Sequence, residues 1–181
     1  MHYGQILKVD SANGIGIRLV FFVSGCRNKC EGCFQPQTHN FHYGKEFTDK
    51  TMDYIINELS KPYYDGITIM GGEPMEPENQ STVKELIIKI REKLPDKNIW
   101  LYSGLIYEKN LLQGQSHYLP DITDNILNNI DVLVDGPFVL SKRNLCLDYR
   151  GSENQRIIDL RATRKSGNIT LLTNNNKLNL K

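Results

Sequence analysis

Three cysteines stand within eight residues, Cys26-x3-Cys30-x2-Cys33, and the fourth, Cys146, lies 113 residues beyond Cys33. Thiolates are soft ligands for iron–sulfur clusters and zinc, and three from one short loop suit three irons of a [4Fe–4S] cube. An ordinary electron-transfer cluster takes four cysteines. Three local thiols with no fourth nearby leave one iron open to a chelate from outside. A structural zinc completed by His39 or His42 competes with this reading, although zinc sites favour two separated pairs over one loop. Unligated, redox-active thiols are a third possibility. A disulfide framework fits least, because such cysteines are spread and paired in secreted chains.

About 40 residues after the loop comes Gly71-Gly72-Glu73-Pro74. Two glycines let backbone approach a ligand without a Cβ in the way, and Pro74 stops a strand from continuing. Carbonyls and a carboxylate exposed there can accept hydrogen bonds from an ammonium group. Alone, the same four residues read as a strand-to-helix turn. Following a cysteine loop in this order and at this distance, they become a specific signal.

Both motifs must be held at the ends of strands. Gln5–Val9 and the β-branched, aromatic run Ile15–Val23 predict two strands with Ser11-Ala12-Asn13-Gly14 as the turn. Thr48-Asp49 caps a helix with apolar residues at Met52, Ile55, Ile56 and Leu59. Ile67–Met70 predicts a buried strand, and Val83, Leu86, Ile87, Ile90 and Leu94 a helix closed by Pro95. Ile99–Tyr102 and Val132–Val134 predict strands on either side of a weaker helix through Ile122, Ile126 and Ile130. Arg156–Leu160 and Ile169–Leu172 are expected as final strands. Such alternation predicts an α/β fold with a mostly parallel sheet, whose chemistry collects at the strands' carboxyl ends. A full eight-unit barrel needs about 250 residues. With 181 residues, a single domain with a partial, curved β/α barrel is expected, over 1–173, with a disordered tail over 174–181.

Composition narrows the function. Lys and Arg number 22 against 21 Asp and Glu, a net charge of +1. No general basic field attracts nucleic acid. No run of about 18 apolar residues suits a membrane span, and the first residues lack a secretory pattern. A cytoplasmic protein is expected.

The sequence resembles the radical S-adenosylmethionine enzymes, in which a C-x3-C-x2-C loop binds the cluster and a GGE-type motif binds the methionine amino group. More narrowly, it is similar to the activating proteins of anaerobic (class III) ribonucleoside-triphosphate reductases. Besides the two motifs, the residues that carry this likeness are Asn13-Gly14, Val23-Ser24-Gly25-Cys26, Gly32-Cys33, Asp131 to Phe138, Arg150-Gly151-Ser152, and Asn154-Gln155-Arg156. The likeness runs from about Tyr3 to Leu160. It implies a [4Fe–4S] cluster on Cys26, Cys30 and Cys33, chelated by S-adenosylmethionine. It also implies reductive cleavage of the C5′–S bond and hydrogen abstraction from a glycine of the reductase, with a flavodoxin or ferredoxin as electron donor. Gly71, Gly72 and Glu73 would set the amino group. One departure stands out: the position before the third cysteine, often aromatic, is Gly32, and Phe34 is expected to take its place beside the adenine.

Ser103, Tyr102 and Asp135 fall at the same rim. Asp135 would hold ribose, methionine or the incoming substrate, or simply cap its turn, and Tyr102 suits core or cofactor contact equally. Arg150, Asn154, Gln155 and Arg156 are candidates for cofactor or partner contact, against the alternative of a solvated loop. His2, His39, His42 and His117 lack ligand spacing and are expected at the surface, and Cys146 is expected as a free buried thiol. Glu108–Tyr118 looks like an addition to the family core. The competing functions are another small radical enzyme (a pyruvate formate-lyase-type activase or a deazaguanine-forming synthase), an iron–sulfur electron carrier with Cys146 as fourth ligand, and a zinc-stabilised interaction module.

Overall fold

A computed structural model describes residues 1–173, and the tail expected over 174–181 lies outside the described residues. The strands are β1 (His2–Asp10), β2 (Arg18–Val23), β3 (Lys45–Glu46), β4 (Gly66–Gly71), β5 (Asn98–Tyr102), β6 (Val132–Asp135) and β7 (Arg156–Asp159). The helices are α1 (Asp49–Leu59), α2 (Pro77–Lys93), α3 (Ile122–Asn129) and α4 (Leu160–Ser166). One sheet holds all seven strands in the order β3-β1-β2-β4-β5-β6-β7.

The middle is parallel: β2, β4, β5 and β6 are neighbours joined through α1, α2 and α3. Parallel neighbours need such crossovers, because a hairpin cannot connect them. Both flanks are antiparallel, β1 and β3 on one side and β7 on the other. The architecture is thus one open mixed sheet with β3 and β7 at its edges, not a closed barrel.

Alternation along the strands separates two faces. Leu19, Phe21, Ile67, Ile69, Ile99, Leu101 and Leu133 join Ile55, Leu59, Val83, Leu86, Ile87 and Ile90 of the helices in the main core. The other face carries Val20, Phe22, Met70, Trp100, Val132 and Val134, packed against Tyr102, Ile15 and Tyr149. No helix among the described residues is long and apolar enough to cross a membrane.

Arg18 sits on that second face with none of its surface exposed. Its Nε donates to Thr68 Oγ1 (2.6 Å), while Nη1 and Nη2 reach Asn98 Oδ1 (2.7 Å) and the Ile67 carbonyl (2.5 Å). Trp100 lies 5.3 Å from the guanidinium, a cation–π distance. Burial lowers the guanidinium to about 10, so it is still charged at neutral pH. Arg18→Met would leave three buried acceptors short of a donor. The expected loss is about 3–5 kcal/mol of unfolding free energy in urea. A loss below about 1 kcal/mol would show that these acceptors find other partners.

Three expectations shift at the ends. The segment before Arg18 is a turn, because Asp10 Oδ1 accepts from Ala12 N and Asn13 N (3.0 and 2.9 Å), and Asp65 Oδ2 from Ile17 N (2.7 Å). Leu160 opens α4 instead of ending a strand, since Asp159 caps that helix through Ala162 N (2.9 Å). Of Ile169–Leu172, only Leu171 makes a bridge, to Ile158.

Candidate functional site

The carboxyl ends of β2, β4, β5 and β6 open onto one cavity of about 510 Å³. That volume is in the range of small-molecule sites. Cys26, Cys30, Cys33, Gly71, Gly72 and Ser103 all line it. Residues as far apart in the sequence as Cys26 and Ser103 therefore meet in one wall.

Cys26 is buried, and Cys30 and Cys33 are half-buried. The loop between them closes on itself where Cys33 N donates to the Cys30 carbonyl (3.2 Å). Burial pushes the Cys26 thiol up to about 11 and raises the Cys30 thiol as well. Thiols held neutral in this way are deprotonated by the metal that binds them. A single ion needs donors about 2.0–2.3 Å from one point. Among the described residues no three His, Cys, Asp or Glu side chains converge like that. His39 is half-buried and shares the cavity.

The Gly71-Gly72 turn needs both glycines. A Cβ on Gly72 would lie 2.6 Å from the Gly25 carbonyl oxygen, and Gly71 has φ +110°. The chain crosses directly against the cysteine loop, with Gly72 N donating to the Val23 carbonyl and Glu73 N to the Gly25 carbonyl, both at 2.8 Å. Among the described residues nothing donates to the Gly72 carbonyl.

Glu73 lies behind this wall, fully buried and not among the lining residues. Its Oε1 accepts from Met75 N (3.0 Å) and Ser103 Oγ (2.7 Å). Its Oε2 accepts from Gly104 N (2.7 Å) and Asn28 Nδ2 (3.1 Å). Burial raises the carboxyl to about 7, against the pull of these donors.

Asp135 is likewise turned away from the cavity. It accepts from Tyr107 N (2.9 Å) and from Arg156, whose Nη1 and Nη2 also hold Glu108 at 2.9 and 2.7 Å. The Glu108–Tyr118 segment, without an evident role in the sequence, is therefore latched to β7 through Arg156. Gln155 is occupied as well: Gly151 N and Ser152 N donate to its Oε1 at 2.9 and 3.1 Å. Asn154 Nδ2 donates to the Pro137 carbonyl (2.8 Å). Arg150 lines the cavity; its Nη1 donates to the Gln155 carbonyl (2.7 Å), and its buried Nε has no partner among the described residues.

Tyr102 lines the cavity and donates to the Tyr149 carbonyl (2.7 Å). Phe34 also lines it and is 69% exposed. Cys146, expected to be buried, is exposed, in the loop over 143–149. Residues that sequence reasoning missed include Asn28, Tyr149 and the apolar Leu145 and Leu147. Of these, only Asn28 had a positional signal, lying between two of the cysteines.

A family described as "4Fe-4S single cluster domain" matches residues 12–158. An Enterobacteria phage T4 protein is 36% identical over 160 residues, covering 87% of this chain and 93% of that one. An Escherichia coli protein is 37% identical over 164 residues, covering 89% of this chain and 100% of its own length. A Vibrio cholerae protein is 36% identical over 159 residues, with 87% and 97% covered. All three are named "Anaerobic ribonucleoside-triphosphate reductase-activating protein". No solved structure matches the chain. With three thiols on one cavity and likeness along nearly the whole length of these relatives, the chain belongs to the family of anaerobic ribonucleoside-triphosphate reductase-activating proteins.

Proposed function

We propose that this protein cleaves S-adenosylmethionine reductively at a [4Fe–4S] cluster on Cys26, Cys30 and Cys33, and so activates an anaerobic ribonucleoside-triphosphate reductase. The observation that carries the reading is the meeting of those cysteines with the bare Gly71-Gly72 backbone in one cavity. A cluster held by Cys26, Cys30 and Cys33 would supply the one-electron reduction that cleavage of the C5′–S bond needs, and so the radical chemistry directed at a glycine of the reductase.

The chain's own residues bind, orient and shield. Cys26, Cys30 and Cys33 would hold the cluster as thiolates and, being three, would leave it room for a ligand from outside the chain. The unpaired Gly72 carbonyl suits an ammonium donor, since a carbonyl has two lone pairs to offer. The partnerless Nε of Arg150 suits an anionic group, and Phe34 offers the ring for an adenine. Ser103 acts through Glu73, and Asp135 through Arg156, as supports of the rim. Asn154 and Gln155 hold the loop that carries Arg150. A reducing, cytoplasmic setting keeps such thiols available, and a flavodoxin or ferredoxin is the class of donor suited to one-electron delivery.

The test is anaerobic reconstitution with iron and sulfide, followed by dithionite and S-adenosylmethionine. Methionine and 5′-deoxyadenosine should appear in equal amounts. Protein that holds the cluster and cleaves nothing would leave the electron-carrier reading in its place.

A further inference from the structure

Three buried polar residues after the Gly-Gly turn, at positions 73, 76 and 79, each grip the cysteine loop. Glu73 takes Asn28 Nδ2 at 3.1 Å. Glu76 accepts from Arg27 N (2.7 Å) and from its Nη1 (2.6 Å). Asn79 Nδ2 donates to the Ser24 carbonyl (3.0 Å) and to the Glu73 carbonyl (2.9 Å). Their exposures are 0%, 1% and 2%. Glu73 lies in the turn that leads into α2, Glu76 at its N-cap and Asn79 in its first turn, and the side chains of all three face residues 24–28.

A carboxylate has about four lone-pair positions, and Glu73 has four donors, two on each oxygen. An incoming ammonium would have to displace one of them. Even the close approach is built in: a Cβ on Gly104 would meet Asn28 Nδ2 at 2.3 Å. We infer that Glu73, Glu76 and Asn79 form a clamp that positions the cysteine loop, and that Glu73 acts through Asn28 without touching the methionine ammonium. The inference rests on the proposed function only for the identity of the ligand.

The test pairs two ligands with two variants. S-Adenosylmethionine and its analogue lacking the α-amino group are titrated into reconstituted wild type, Glu73→Gln and Asn28→Ala. With a clamp, each variant weakens both ligands by the same factor, about tenfold, the equivalent of one buried hydrogen bond. A loss confined to the ligand that carries the amino group would overturn the inference. So would tighter binding by Asn28→Ala, as expected if that amide merely competes with the ammonium.

Hydrogen exchange on the metal-free chain gives a readout that needs no ligand. Both variants should speed exchange over residues 24–30 and leave α3 unchanged. Unchanged exchange over 24–30 would equally overturn the clamp. Should Glu73→Gln not fold, Asn28→Ala carries the test, because it leaves Glu73 and three of its donors in place. Failure of the wild type to cleave S-adenosylmethionine would reject the proposed function and leave the exchange result standing.

Discussion

Reconstituted anaerobically with iron and sulfide, Cys30→Ser protein should retain almost no cluster, while Cys146→Ser protein should hold as much iron as the wild type. Cys26, Cys30 and Cys33 share one cavity wall, and Cys146 is an exposed thiol that does not line it. A serine hydroxyl is a far weaker ligand for iron than a thiolate, and two remaining thiols cannot hold three irons. Iron and sulfide analysis together with the near-ultraviolet and visible spectrum reads the outcome directly. Cluster loss in Cys146→Ser would mean that the loop over 143–149 folds back to supply a fourth ligand, which is the electron-carrier arrangement. Equal retention in Cys30→Ser would remove the cluster assignment altogether.

Much of the frame is legible in the sequence because the strongest signals are periodic. Ile67–Met70 and Ile99–Tyr102 are short apolar runs between polar turns, and both are strands. The helix through Val83 and Ile90 begins earlier than its apolar residues show, because Asn79 and Gln80 are polar yet buried. Periodicity cannot register a polar side chain that faces inward to bind backbone. The same reason hides the orientation of Glu73 and Asp135. Both stand at strand ends, where a carboxylate suits a ligand, and both are instead consumed by donors from distant segments. Ser103 lies 30 positions from Glu73 and Arg156 21 from Asp135, so no local pattern marks either pair. Arg18 shows the converse. In the sequence it interrupts an apolar run, whereas in the fold it is the buried centre of that strand's hydrogen bonding, because Thr68, Ile67 and Asn98 bring acceptors to it.

Mixed anaerobically with its anaerobic reductase, S-adenosylmethionine and a reductant, the protein should place a glycyl-radical doublet on the reductase, visible by electron paramagnetic resonance. The cavity suits a macromolecular occupant. Phe34 and Leu145 line it with 69% and 84% of their surfaces exposed, and Leu140 beside Gly32 is 40% exposed. Apolar side chains left open around a reactive site gain about 25 cal/mol for each Å² that a partner covers. Lys29, Lys142 and Arg143 are exposed nearby in sequence, and none forms an ion pair among the described residues. With a net charge of only +1, long-range steering is weak, so recognition has to come from this local surface. A glycine inside a folded enzyme reaches such a cavity only when its loop is drawn out, so the two proteins must form a complex at least transiently. Replacing the reductase's C-terminal radical glycine with alanine should abolish the doublet, because that splitting comes from the one Cα hydrogen a glycyl radical keeps, and a methyl group stands in its place in alanine. Leu145→Asp should weaken the complex and slow radical formation on the reductase more than it slows cleavage of S-adenosylmethionine alone. A doublet raised only on a formate-lyase-type partner would overturn the choice of reductase and leave the radical chemistry in place.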